Sequence, residues 1–401
     1  MAVLLSLCAA VALLPQSAPR DLSRLLASEP SKFERALAAM PGNRLQVLVA
    51  EPETLADGRV VLRRSAIGDA RQYFYPASSV KLGAAVAALL QLQELGRDSA
   101  AAFDLGAEWR IGARFDGDPQ EAPWLSIEHD LRALLVVSDN AAFNHCFEFV
   151  GPRALNETMA AAGLTSFRLW HRLSEGRSLQ QNRQTRPMSL RQGGRVHAIA
   201  GRDDEIMLDN LAFADLAVGE AHIRGDKVVP QPMSFTEKNA VQLRDLQDLL
   251  VMVLRPDIDL GKKGFAQLSV TARAFLVNAL GCFPRESTAP VWSEKDYPDD
   301  WGKFVLPGIR RVVPAAHARV YDKSGRAYGF TIENAYVEDT RTGRGFFVAA
   351  VLYTNPNAIV GDDQYAYAQL ADPFFADLGE VLARALFCAA DRENLAPAQS
   401  R

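Results

Sequence analysis

"YPASSVKLGAAVAALLQL", Tyr75–Leu92, opens a strongly apolar helix with two serines and a lysine. Ser78 and Lys81 are three apart, so within a helix they project from one face, one turn from each other. A serine at a helix start usually caps a free backbone N–H. The alternative is a nucleophile with a base one turn away. What the rest of the chain brings to this helix decides between them.

Upstream, "DLSRLLASEPSKFERALAAMPGN" (Asp21–Asn43) reads as one helix closed by Pro41-Gly42. "RLQVLVAEP" (Arg44–Pro52) and "GRVVLRRSA" (Gly58–Ala66) read as paired strands with a polar turn at Asp57-Gly58. Downstream, "IEHDLRALLVVSDNAAFNHCFEFVG" (Ile127–Gly151) carries apolar residues at helical spacing, and "GPRALNETMAAAGL" follows with its proline near the start. From Thr165 to Pro232 the chain is irregular and rich in Arg, Gln, Asp and Gly. Helices resume with "SFTEKNAVQLRDLQDLLVMVL" (Ser234–Leu254), where Ser234 and Glu237 match a capping box, and with "LSVTARAFLVNALG" (Leu268–Gly281).

The last hundred residues change character. Ala316–Gly325 alternates as a strand does, and "YGFTIENAYVED" (Tyr328–Asp339) and "GRGFFVAAVLYTN" (Gly343–Asn355) read as two more strands hinged at Thr340–Gly343. "DPFFADLGEVLARALF" (Asp372–Phe387) is a closing amphipathic helix. Strands at both ends with helices between predict an α+β fold, a five-stranded antiparallel sheet built by both chain ends and flanked by helices, with an all-helical lobe inserted in its middle. We place the sheet lobe at about 19–77 and 303–401. The helical lobe takes about 78–302, with a long insertion at about 183–232.

With 44 basic and 48 acidic residues in 401, the net charge is −4, which gives no reason to expect nucleic acid or an anionic membrane as partner. The six histidines are scattered, without an HxxxH or HExxH pair, and there is no CxxC, so neither a metal nor another cofactor is expected. Val3–Leu14 is too short to span a bilayer as a helix but fits the apolar core of a signal peptide, with Pro15 ending it and Ser17 and Ala18 near the cut. A signal peptide over 1–18 predicts a periplasmic or secreted protein. Positive charge ahead of the run is missing, and bulky Leu7 disfavours a lipid anchor at Cys8. Cys146, Cys282 and Cys388 remain; three cannot all pair, and free core cysteines are the simpler reading.

Three short motifs line up in order: Ser78-Ser79-Val80-Lys81, Ser138-Asp139-Asn140 and Lys323-Ser324-Gly325. The first alone carries little, since about one SxxK is expected by chance in a chain this long. The second is rarer, and a K-[ST]-G on a late edge strand rarer still. SxxK, SDN and KTG form a known signature of class A β-lactamases and penicillin-binding proteins. The chain resembles the serine β-lactamase and penicillin-recognising D,D-peptidase superfamily, closest to class A. The resemblance runs through "VVSDNAAFNHCFEFVGPRALNETMAAAGL", including Asn144, and through "YDKSGRAYGFTIENAYV" with "GFFVAAVLYT", and it covers about three quarters of the chain beyond residue 18.

The chemistry gives each residue a separate reason. A serine hydroxyl needs a base, and Lys81 serves if burial or a neighbouring cation such as Lys323 keeps it neutral. Ser138 would pass the proton to the leaving nitrogen. The resemblance implies that Asn140 offers its amide to a substrate carbonyl, that Lys323 and Ser324 bind the substrate carboxylate, and that the backbone N–H groups of Ser78 and Arg326 form the oxyanion hole. Gly325 would let the strand approach the substrate closely. Against these stand plainer roles: a helix cap at Ser78, a turn at Asp139-Asn140, and a strand end with a solvated lysine at Lys323.

The pattern departs from class A in three places. Those enzymes release the acyl group with the glutamate of an ExxxN loop, but "RLWHRLSEGRSLQQNRQTRP" (Arg168–Pro187) has Ser178 four residues before Asn182. Glu175 is the displaced candidate, and a solvated loop charge is its rival. Arg326 is bulky where the family has a small residue. The 183–232 stretch is extra, its "FADLAVGEAHIRGDKVVPQ" (Phe213–Gln231) could form a hairpin, and it would be placed to roof the site. The expectation is a monomeric, exported serine hydrolase forming an acyl-enzyme on Ser78, acting on a small-molecule β-lactam or a peptidoglycan stem peptide. β-Lactam hydrolysis leads. A D-Ala-D-Ala peptidase or esterase with slow β-lactam turnover is the first alternative, and a non-catalytic binding protein on the same fold the second.

Overall fold

The computed structural model describes residues 21–98, 103–205 and 208–388. The expected signal peptide, and with it Cys8, lies outside the described residues. Among the described residues no helix is long and apolar enough to cross a membrane.

The frame is one antiparallel sheet built by both chain ends. Its strands are β1 (Gln46–Thr54), β2 (Val60–Ile67), β3 (Ala318–Asp322), β4 (Gly325–Ala327), β5 (Phe330–Asp339) and β6 (Arg344–Tyr353). The spatial order is β3-β5-β6-β1-β2, with β4 also on β5. Asp322 lies opposite Ala335 and Gly325 opposite Ile332, so β3 and β4 share one register and are two halves of one edge strand, parted at Lys323-Ser324. Five strands were expected, and the sixth segment is this break. Period-two alternation makes the sheet two-faced. Leu48, Ala50, Ala349 and Val351 face one core, and Val47, Val49, Val348 and Ala350 face another.

The first core is filled by helices of the inserted lobe: α1 (Lys81–Asp98), α2 (Ile127–Val136), α3 (Asn140–Val150), α4 (Leu243–Leu254) and α5 (Val270–Gly281). The second is closed by α6 (Asp372–Ala383). Ser126, Asp139 and Ser269 cap α2, α3 and α5 by accepting from backbone N–H groups three residues on.

Two local readings need correction. The N-terminal helix breaks into Leu22–Ala27 and Pro30–Ala38, because Pro30 disfavours helix for the residue before it. The capping box at Ser234 does not form: Ser234 pairs in a short strand with Ala217, its Oγ meets Thr236 Oγ1, and α4 begins only at Leu243. A local motif lost there to strand pairing across sequence.

The 183–232 stretch folds as two hairpins. Met188–Gln192 with Arg195–Ile199 extends a four-stranded sheet with Glu108–Ile111 and Leu125–Ser126. Ala221–Arg224 with Lys227–Val229, within the predicted hairpin, pairs with Ile359–Val360. The buried Arg44 guanidinium ties this region to the frame by donating to Tyr73 O at 2.8 Å, Asp215 O at 2.9 Å and Ala217 O at 3.0 Å. Cys146 and Cys282 are buried free thiols as expected, whereas the free Cys388 is exposed, since it follows the last buried turn of the closing helix.

Candidate active site

Ser78 and Lys81 sit at the start of α1, where a single tight turn, Ala77–Val80, leads into the helix. Ala77 is held at φ 49° and Ser138 at φ 64°, the left-handed region that non-glycine residues avoid and that clusters at functional sites. Ser138 fills the break between α2 and α3. Lys323 lies on the parted edge strand, its N–H bonded to Asn334 O at 3.1 Å. Three distant stretches thus meet at one edge of the sheet.

Lys81 is fully buried. Its Nζ bonds Asn140 Oδ1 at 2.7 Å, Ser138 Oγ at 3.3 Å and Ser138 O. Lys323 Nζ reaches the same Ser138 Oγ at 3.1 Å, and Ser324 O at 3.2 Å. Burial first, and then the positive charge of Lys323, lower Lys81 to about 6. Burial lowers Lys323 to about 8, with Asp322 opposing and Lys303 assisting. At neutral pH Lys81 is therefore an amine and Lys323 an ammonium. A neutral Lys81 has two N–H groups, enough for Ser138 O and Asn140 Oδ1, and one lone pair able to take a proton from a hydroxyl, although the Ser78 hydroxyl is not among its hydrogen-bond partners. Ser138 in turn accepts from Lys323. The two lysines and Ser138 form a wired proton path.

A cavity of about 490 Å³ opens beside Ser78, Ser138, Asn140, Ser324, Gly325 and Arg326. Ser78 is half-buried on its wall. None of the described residues of 183–232 lines this cavity, so the expected roof is not found among them: the two hairpins pair with strands elsewhere. Gly325 has a sharper role than approach to substrate. A Cβ there would meet Pro76 O at 2.6 Å and the amide nitrogens of Ser78 and Ser79 at 2.8 Å, so only glycine lets the strand lie against the turn that carries the nucleophile. The Arg326 side chain lies along the wall of this cavity, held by its neighbours. It pairs with Asp372, donates to Thr331 Oγ1 at 3.2 Å and lies over Phe304 and Tyr367, 4.3 and 4.7 Å from the ring centroids.

The loop that follows the helix Pro152–Ala161 carries what sequence reasoning missed. Asn140 Nδ2, expected for the substrate, is spent on Ser174 Oγ at 2.8 Å, and Ser174 is itself held at φ 55°. The loop is braced from beneath by Arg172, fully buried, whose Nε donates to Glu148 Oε1 at 2.8 Å and whose backbone N–H donates to Asn182 Oδ1 at 3.0 Å. Glu175 does not stand in for the missing base. Its Oε1 accepts from Asn144 at 3.4 Å and Arg186 at 3.3 Å, and its Oε2 pairs with Arg177 at 3.2 Å; neither Lys81 nor Ser138 is a partner. The signal for this brace was present as five arginines and one glutamate between Arg168 and Pro187, but charge alone could not say that Arg172 points inward. Trp301, in "YPDDWGKF" (Tyr297–Phe304), is the other omission: a lone tryptophan in a polar loop that forms a cavity wall. Among the described residues no group of His, Cys, Asp and Glu is arranged to hold a metal ion.

Residues 58–199 match the family model described as the beta-lactamase enzyme family, a span that contains the first two motifs and not the third. Among solved structures, the fold is similar to a β-lactamase from Burkholderia ambifaria (19% identity, TM-score 0.50, covering 88% of this chain and 97% of that one). It is also similar to a β-lactamase from Xanthomonas campestris pv. campestris (15% identity, TM-score 0.50, 91% and 98%). The chromosome-encoded β-lactamase of Vibrio parahaemolyticus is a third (14%, TM-score 0.50, 88% and 98%). Comparison with curated protein sequences finds no match. The chain has the β-lactamase-like fold, with an antiparallel sheet and helices.

Proposed function

We propose that this chain, whose fold and matched segment are those of a serine β-lactamase-like hydrolase, is an exported enzyme that acylates Ser78 with small amides bearing a nearby carboxylate, β-lactams first among them. The observation that carries the reading is the shared Ser138 Oγ, 3.3 Å from Lys81 Nζ and 3.1 Å from Lys323 Nζ, on the wall of the cavity that Ser78 lines.

In acylation, Ser78 Oγ attacks the carbonyl carbon as its proton passes to Lys81. The oxyanion forms beside the N–H groups of Ser78 and Arg326, at a helix start whose dipole favours it. As the C–N bond breaks, the proton moves from Lys81 through Ser138 to the nitrogen. Lys323, still cationic, draws the substrate carboxylate. The acyl ester then waits for water. With Glu175 engaged by arginines, deacylation lacks a carboxylate base, which favours slow turnover and so the peptidase-like alternative over a fast resistance enzyme. A non-catalytic role would suit a covered serine, and Ser78 is not covered by the insertion.

The test is intact-protein mass after incubation with a fluorescent penicillin. A stoichiometric adduct, absent in Ser78→Ala, supports the proposal, and no adduct with any β-lactam sinks it. A burst followed by a lasting adduct marks the slow-turnover form; steady turnover marks the lactamase.

A further inference from the structure

We infer that the amine half of the substrate, the half that keeps the departing nitrogen, carries a flat, positively charged substituent laid across Trp301 and paired with Asp300. The inference rests on the acyl-enzyme reading above and names the substrate class of that site.

Ser138 delivers the proton to the departing nitrogen, so the amine half lies on the Ser138 flank of the cavity. That flank is shared by Val137 and by the 298–307 wall, which includes Asp300 and Trp301. Trp301 is 41% exposed although it lines a cavity. Its indole N–H is already spent on Val137 O at 3.0 Å, and Tyr297 packs edge-on at 4.9 Å. The ring is therefore held in place while still 41% exposed, so it has little rotamer freedom to lose on binding, as a stacking platform requires.

The charges around it are uneven. Arg326 is neutralised by Asp372, and Lys303 is spent on Leu280 O and Val320 O, each at 2.9 Å, and on Asp322. Asp300 lines the cavity with its side chain exposed, and among the described residues no ion pair engages it. The inner end near Lys323 thus attracts an anion while the outer wall offers one unmatched carboxylate beside an aromatic face. A cation over an indole face and next to a carboxylate gains on both counts.

Two cephalosporins with the same acylamino side chain test this, one with a pyridinium and one with an acetoxy group on the 3-methylene carbon. Second-order acylation rates are read by quenched-flow mass spectrometry at low and high salt. The parent protein is expected to prefer the pyridinium compound about five- to tenfold, with the ratio falling below about twofold in both Asp300→Asn and Trp301→Ala and part of it surviving in Trp301→Phe. Equal rates in the parent, or a preference untouched by Asp300→Asn in a folded protein, overturn the inference while leaving acylation standing. No adduct from either compound overturns the acyl-enzyme reading and this inference with it.

Discussion

Replacing Lys323 by methionine should move the proton affinity of a different residue, Lys81. Both lysine nitrogens contact Ser138 Oγ, at 3.3 and 3.1 Å, so they are no more than about 6 Å apart. Two unit charges at that distance in an effective dielectric near 20 repel by about 2–3 kcal/mol, or ~2 pKa units. Lys81 stands at about 6 against an ordinary 10.5, so this repulsion accounts for the smaller share and burial for the larger. At pH 7 a lysine at about 6 is roughly nine-tenths neutral, whereas an unperturbed one is neutral in ~1 molecule in 3,000. The second-order rate of Ser78 acylation, which reports free-enzyme ionisations, should rise with an acid limb near pH 6 in the parent protein and near pH 8 in Lys323→Met. Lys323 also meets the substrate carboxylate, so the variant will be slower at every pH; the position of the limb is the readout. An acid limb that stays near 6 in the variant refutes the Lys323 contribution, and a parent without an ionisation near 6 refutes Lys81 as the base.

Other expectations follow from the same contacts. Gly325→Ala forces a Cβ against backbone atoms of Pro76, Ser78 and Ser79, so acylation should fall ~100-fold or more with about 1–3 kcal/mol of stability lost, read by adduct kinetics and urea unfolding. Glu148→Gln removes the buried carboxylate shared by Arg172 and Arg186 and should cost about 3–5 kcal/mol in urea unfolding; a loss below about 1 kcal/mol would mean the brace is not what holds the loop. Lys81 has a lower proton affinity folded than unfolded, so between about pH 6 and 10.5 the unfolded chain binds the extra proton and stability rises with pH. Lys81→Met should therefore stabilise the protein most near pH 6 and progressively less toward pH 10, checked by denaturant melts across that range; a difference constant with pH would contradict it.

Much was readable along the chain because it depends on neighbours in sequence. The β1–β2 and β5–β6 hairpins announced themselves by alternation and turns, α1 by its apolar run, and the three motifs by residue type and order. The break at Pro30 was local too and was overlooked. Ser234 failed for the opposite reason: its capping signature was intact, and a strand from elsewhere took the residue first. Glu175 was a displaced candidate base, nearby but off the ExxxN spacing, and only the fold revealed that Asn144, Arg177 and Arg186 had already claimed both oxygens.

The sequence by itself determined which groups were available: one serine and one lysine a turn apart, a second serine and asparagine at a helix start, and a late lysine followed by serine and glycine. Tertiary structure decided what those groups are. Burial and a second cation make Lys81 an amine, the edge strand's contact with the Ser78 turn demands glycine at 325, and Trp301 faces the cavity because its N–H found Val137. Proton affinity, steric tolerance and exposure are properties of surroundings, and surroundings are assembled from residues that lie far apart along the chain.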